Sequence, residues 1–142
     1  WGPRLWQNIL FDRGFYVSFG PERGLTLLKI ANEDGVIRRA GVLFRDGRYE
    51  EIHDLDVFTA WDHERDPTAV ILTARTASWR AVIHGRVLNV APLRNRREIA
   101  GRMLHSRIAE CYTEFTWDGH RGYGMTEYVE RLHNDCPVGW PL

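Results

Sequence analysis

The stretch from Trp117 to Arg131 holds the residues whose types and spacing best suit chemistry. Asp118-Gly119 is a turn dipeptide, and the residues after it alternate. Tyr123, Met125, Glu127 and Val129 share one face of an expected strand, with Gly124, Thr126, Tyr128 and Glu130 on the other. This puts Glu127 on the more apolar face. A buried carboxylate must be paired, hydrogen-bonded or kept protonated, because an isolated buried charge is too costly to hold. Two chemistries follow. One is a structural ion pair with an arginine such as Arg107, Arg131 or Arg4. The other is a general acid or base in a mostly apolar cavity, where desolvation moves a carboxylic acid toward the working pH. Glu110, in the preceding segment, shares parity with Leu104, Ile108 and Tyr112 and is the second carboxylate of interest.

Other candidates carry weaker signals. Of the six histidines, no two stand at a metal-binding helix spacing and His-x-His never occurs, so no metal site is expected. His105 is singled out because its segment precedes that of Glu127. Arg94-Asn-Arg96-Arg97 lacks interleaved aromatics and reads as a solvated loop, with no nucleic-acid role. Six tryptophans is a high number for this length. Trp79 reads as core, while Trp1, Trp6 and Trp117 flank the motif regions and suit ligand stacking. Cys111 has no neighbour that would generate a thiolate, and nucleophile-elbow, phosphate-loop and dinucleotide fingerprints are absent from the sequence. No cofactor is expected.

The elements that position these residues are strands. The length, 142 residues, fits one domain. Nineteen basic and nineteen acidic residues balance, which removes any global electrostatic case for nucleic acid or an anionic membrane. Every basic residue except Lys29 is an arginine. Cys111 and Cys136 make neither a disulfide framework nor a zinc knuckle, so a reducing cytoplasm is the expected compartment. Apolar runs fall short of a membrane span, and no signal peptide is expected. The chain starts inside a motif at Trp1, the mark expected of a piece cut from a longer protein whose missing N-terminal half would complete any shared site.

Along the chain, Leu5 to Phe11 reads equally as short helix or strand. Strands are expected at 15–19, 25–31, 36–44, 49–58, 69–76, 79–90, 103–117 and 122–131. Asp34-Gly35 and Asp46-Gly47 favour tight hairpin turns. The segment 92–98 is expected to break the pattern, and 134–142 to form a terminal tail after a single β domain over 1–133. About eight to nine strands with hardly a helix predict an all-β antiparallel meander that closes into a barrel, a highly curved sheet or a sandwich.

Trp1-Gly-Pro-Arg4-x-Trp6, Arg45-Asp46-Gly47-Arg48, Gly85-x-Val87 running into Pro92-Leu93, and Gly122-Tyr-Gly124-x-x-Glu127-Tyr128 together resemble the C-terminal half of an uncharacterised bacterial family similar to the hydroxyneurosporene synthase and AttH group. The resemblance spans nearly the whole chain and implies a lipocalin-like, calycin-type barrel. It also implies a hydrophobic small molecule such as a terpenoid or lipid, bound and open to hydration, cyclisation or lyase chemistry without a cofactor. Glu127 would then act as acid/base with Arg4 setting its ionisation, and Trp1, Trp6, Tyr123, Tyr128, Glu110 and His105 would line the ligand. A noncatalytic lipid-binding or domain-docking module, and a sugar-binding sandwich using the tryptophans, are the alternatives.

Overall fold

The computed structural model describes residues 8–138, and these form one antiparallel sheet. In chain order the strands are β1 (Ile9–Ser18), β2 (Arg23–Asn32), β3 (Ile37–Arg45), β4 (Arg48–Glu51), β5 (Asp54–Trp61), β6 (Pro67–Arg75), β7 (Arg80–Ile99), β8 (Arg102–Trp117), β9 (His120–His133) and the two-residue β10 (Cys136–Pro137). Across the sheet they run β4-β3-β2-β1-β9-β8-β7-β6-β5, with β10 added to β9. Among the described residues no helix is long and apolar enough to cross a membrane.

The turn chemistry behaves as the dipeptides dictate. Asp46-Gly47 and Asp118-Gly119 both have two positive φ angles (51° and 77°, 48° and 79°), the backbone of a type I′ hairpin. The turn between β7 and β8 has the same form at Ala100-Gly101 (φ 49° and 74°). Alanine gives no signal for that conformation, so the expected break at 92–98 is instead the second half of a twenty-residue strand. Pro92 is tolerated there because β6 pairs β7 only as far as Arg86, which leaves the rest of β7 with a partner on one side. The run expected over 49–58 divides at Ile52-His53, and Leu5–Phe11 enters β1 from Ile9 onward. Part of the expected tail turns back at Asn134-Asp135, pairs Cys136 and Pro137 with His133 and Leu132, and donates the Val138 N–H to the Arg131 carbonyl at 2.8 Å.

The sheet curls on itself without closing. Its two outer strands, β4 and β5, are consecutive in sequence, and the chain steps between them through Ile52 and His53. The Ile52 N–H reaches the Gly41 carbonyl at 3.0 Å and the His53 N–H reaches the Arg75 carbonyl at 2.9 Å. Side chains finish the seam. Thr76 Oγ1 and the Ser78 N–H donate to Glu50 at 2.6 and 3.1 Å, and Arg39 Nε donates to the Leu55 carbonyl at 3.3 Å. Inward residues from β1, β2, β3, β5, β6, β7, β8 and β9 pack into one core that includes Phe15, Leu27, Leu43, Leu55, Leu72 and Phe115. Curling brings strands close on the inner side, so some inward positions must be small. A Cβ on Gly124 would lie 2.1 Å from the Tyr16 carbonyl oxygen, and one on Gly85 would lie 2.7 Å from Phe115 and Val70.

Candidate functional site

The inner face sorts into rows that follow the hydrogen-bond register. At one end the rows are apolar: Thr113, Gly124, Val17, Leu25 and Leu43 align across β8, β9, β1, β2 and β3, and Cys111, Thr126, Phe15, Leu27 and Gly41 form the next row. The Thr113 and Thr126 hydroxyls satisfy each other at 2.9 Å. Two residues further along, the composition changes abruptly. The row becomes Ala109, Tyr128, Arg13, Lys29 and Arg39, and the row beyond it Arg107, Glu130, Phe11, Ala31 and Ile37.

Arg13 is the centre of this polar end. Its side chain is 1% exposed and its guanidinium lies 2.7 Å from Glu130, which is 8% exposed. It also donates to the carbonyls of Asp12 (2.9 Å) and Val129 (3.1 Å). Three rings surround it, with centroids at 5.0 Å for Tyr128, 5.5 Å for Phe11 and 5.6 Å for Trp61, within the range of a cation–π contact. Burial pushes the Arg13 pKa down, and Glu130 opposes that shift. Tyr128 packs edge-on to Trp61 and shares a 3.3 Å hydrogen bond with the Thr59 hydroxyl, which ties β9 to β5 across the interior. Burial raises its phenol to about 12, so it serves as a neutral donor or acceptor at neutral pH.

Beside this cluster Arg107, also buried, is paired with Asp66. A bulge between Val87 and Asn89 shifts the register of β7, and Arg94 comes to lie opposite Arg107. Arg65, Arg94, Arg107, Leu132, Asp135 and Pro137 line a cavity of about 180 Å³ at this end. Among the described residues no group of three histidine, cysteine or acidic side chains could hold a metal. Cys111 is buried and its thiol is raised to about 11 by burial.

The residues singled out from the sequence fall into three places. Tyr128 is inside, in the Arg13 cluster. Glu127 and Glu110 are half-buried on the outer face and stand directly opposite each other across β9 and β8, with Gly14 as the next neighbour on β1. Tyr123 is outside as well, 41% exposed, stacked on Tyr112 with its hydroxyl on Glu114 at 3.0 Å. His105 lies near the cavity end, with Nδ1 3.6 Å from Asp135 and Nε2 buried without a hydrogen-bond partner among the described residues. Trp1, Arg4 and Trp6 lie outside the described residues. Trp117 is core, 1% exposed, with Arg23 over its ring.

The alternation of β9 is as expected, but its core face is the other one. Met125 is 46% exposed, whereas Gly122, Thr126, Tyr128 and Glu130 are buried. Hydropathy favoured Tyr123, Met125 and Val129, and curling reversed that ordering by demanding small residues inside. The buried carboxylate is therefore Glu130 rather than Glu127. The sequence reading gives no site role to Arg13, Lys29, Trp61 or Glu130, although it holds a signal for two of them. Arg13 stands in phase with Ile9, Phe11, Phe15 and Val17, and Lys29 in phase with Leu25, Leu27 and Ala31, so each is a charge in an otherwise apolar stripe.

Comparison with known proteins adds a family and a fold. Residues 1–131 match the family described as Domain of unknown function (DUF7064). No curated protein matches the chain. Among solved structures, the crystal structure of CghA with Sch210972 superposes with a TM-score of 0.60 at 12% sequence identity, over 87% of this chain and 41% of the CghA chain. At that identity the likeness is one of fold, a lipocalin-like antiparallel sheet. The chain spans about two fifths of the length of the CghA chain.

Proposed function

The chain belongs to the DUF7064 family, and from the geometry of its curled sheet we propose that it binds an apolar or amphipathic small molecule at the polar end of the interior. The observation that carries this reading is Arg13, held by Glu130 and ringed by Phe11, Trp61 and Tyr128 at the polar end of the sheet's interior. A buried ion pair is a poor source of stability, since well-packed apolar residues do as well or better. A guanidinium edged by aromatic faces, one row from the Arg107 that lines the cavity, supplies what a small-molecule site needs: an apolar wall and a few fixed polar groups. Two further facts support the reading: the fold likeness to CghA, and the presence of Sch210972 in that structure. The finer kinship with the hydroxyneurosporene synthase and AttH group rests on the sequence motifs, as does a missing N-terminal half that would complete the site. A cytoplasmic location rests on the sparse cysteines alone.

The test is native mass spectrometry of the protein at its natural length, purified from its own host. The wild type is expected to carry a small organic molecule, retained in Tyr49→Ser on the exposed edge and lost from Trp61→Leu. A folded Trp61→Leu that keeps the molecule as tightly as the wild type would place the site elsewhere.

A second reading is favoured by Glu110 and Glu127. Carboxylates directly opposite on neighbouring strands repel unless a proton or a cation stands between them, an arrangement suited to acid/base work. Here Glu127 would serve a substrate on the outer face, with Arg4 setting its ionisation, in hydration, cyclisation or lyase chemistry. In the Glu127→Gln variant, ligand turnover should fall at least ~100-fold if the carboxyl is the general acid or base. Unchanged turnover in a folded variant removes this reading and leaves the binding one intact.

A further inference from the structure

The cavity of about 180 Å³ at the polar end is lined by arginines from three elements: Arg65 from the loop between β5 and β6, Arg94 from β7 and Arg107 from β8. Arg107 is the most buried of them. Its side chain is 6% exposed and paired with Asp66, yet its Nε–H is buried with no acceptor among the described residues. A buried donor without an acceptor is costly, and an oxygen supplied from the cavity would satisfy it. Arg94 stands opposite Arg107 in the register, and like charges so placed repel unless counter-charge offsets them. Among the described residues, neither Arg94 nor Arg65 has an ion-pair partner. Glu64 and Asp135 also line the cavity, but both side chains are turned to solvent, 72% and 78% exposed, where their charge is screened. Arg65 is placed at a backbone cost: its φ is 65°, in the left-handed region that suits glycine. The loop enforces this. Asp62 Oδ1 accepts from the Glu64 and Asp66 N–H groups at 2.9 and 2.8 Å, and the Arg65 N–H donates to the Asp62 carbonyl at 3.1 Å. Strained residues held by such loops cluster at ligand clamps.

We propose that this cavity is an oxyanion site for the phosphate or carboxylate group of a small acid, with Arg65, Arg94 and the Arg107 Nε–H as its donors and Leu132 and Pro137 against the carbon body. Guanidiniums suit such groups because their planar fork donates two parallel hydrogen bonds to neighbouring oxygens. The volume lies below the roughly 300 Å³ at which drug-sized pockets begin, so it fits a small acid or the head group of a longer one. The site has residues of its own and stands apart from whatever ligand the Arg13 cluster takes.

The test is isothermal titration calorimetry of the protein at its natural length with hexyl phosphate, inorganic phosphate, hexanoate and hexylammonium. Hexyl phosphate is expected to bind at least ~10-fold more tightly than hexylammonium, with the advantage shrinking as salt is added. Arg65→Gly relieves the backbone strain, so its urea midpoint should match or exceed that of the wild type while hexyl phosphate affinity falls ~10-fold. An arginine with a merely structural role would not separate those two readouts. Arg94→Gln, on an exposed side chain, should fold normally and also weaken hexyl phosphate binding, whereas Arg86→Gln, which removes an exposed arginine paired with Glu114, should keep wild-type affinity. Inorganic phosphate binding as tightly as its hexyl ester supports a site for a free small anion, and a preference for the ester supports a head-group site. Hexylammonium binding as tightly as the acids, or no acid binding at all, would overturn the proposal and leave the reading of the Arg13 cluster standing. Acid affinity that survives both Arg65→Gly and Arg94→Gln would overturn the assignment to this cavity.

Discussion

Arg13 is held by partners from more than one strand: its counter-charge is on β9, one of its rings on β5, and a carbonyl on its own strand. Removing Glu130 leaves that guanidinium buried without its carboxylate, which costs far more than the pair contributes. Glu130→Gln is expected to lower unfolding free energy by about 3–5 kcal/mol, read from urea midpoints. The double variant Arg13→Met/Glu130→Leu should recover most of that loss, because an apolar pair of similar size fits the surrounding rings. A double variant no more stable than Glu130→Gln would show that the cluster's hydrogen bonds, and not its charge balance, hold this end together. At the same scale, one methyl group matters on the inner side of the curl: a side chain at Gly124 would meet the backbone of β1.

At the level of elements, the seam between β4 and the turn that follows β6 depends on one carboxylate. The Thr76 hydroxyl holds the Glu50 pKa below the ordinary glutamate value, against some desolvation, with the Ser78 N–H and Arg48 adding to the lowering. A depressed folded pKa means that the unfolded chain takes up its proton first as pH falls. The stabilisation is therefore fully present above about pH 4.3, the unfolded carboxyl value, and is lost as pH drops through the lower folded value. Urea midpoints measured from pH 7 to pH 3 should show wild type above Glu50→Gln by a constant margin down to that point, with the gap closing below it. Asp54 and Glu114 are depressed too, so both proteins will lose stability in acid, and the difference between them isolates Glu50. A margin that persists to pH 3 would mean that Glu50 does not carry the seam as an anion.

For the whole molecule, the open seam sets where the fold gives way. β1, β8 and β9 have a strand on both sides, whereas β4 and β5 are the margins of the sheet and meet only through side chains and the Ile52-His53 crossing. Hydrogen exchange should therefore be slowest in β1 and the middle of β9, and fastest in β4 and the β5 residues on the open side, in keeping with opening from the least-paired elements. Equal protection of β5 and β9 would show a barrel closed in solution.

Strands, turns and architecture were legible from the chain because they depend on local chemistry. Period-two alternation marked the β runs, Asp-Gly at 46–47 and 118–119 supplied positive φ, and the absence of helical periodicity left an antiparallel meander as the answer. What local chemistry could not state was which side of β9 faces the core, because that is set by the curl of the whole sheet, which brings β1 so close at Gly122 and Gly124 that only glycine fits on the inner side there. Nor could spacing reveal that Arg13, Lys29, Arg39, Trp61, Tyr128 and Glu130 share one end of the interior. They are spread over 118 positions of sequence, from Arg13 to Glu130; the hydrogen-bond register of the folded sheet brings five of them into adjacent rows, and its curl brings Trp61 of β5 against them.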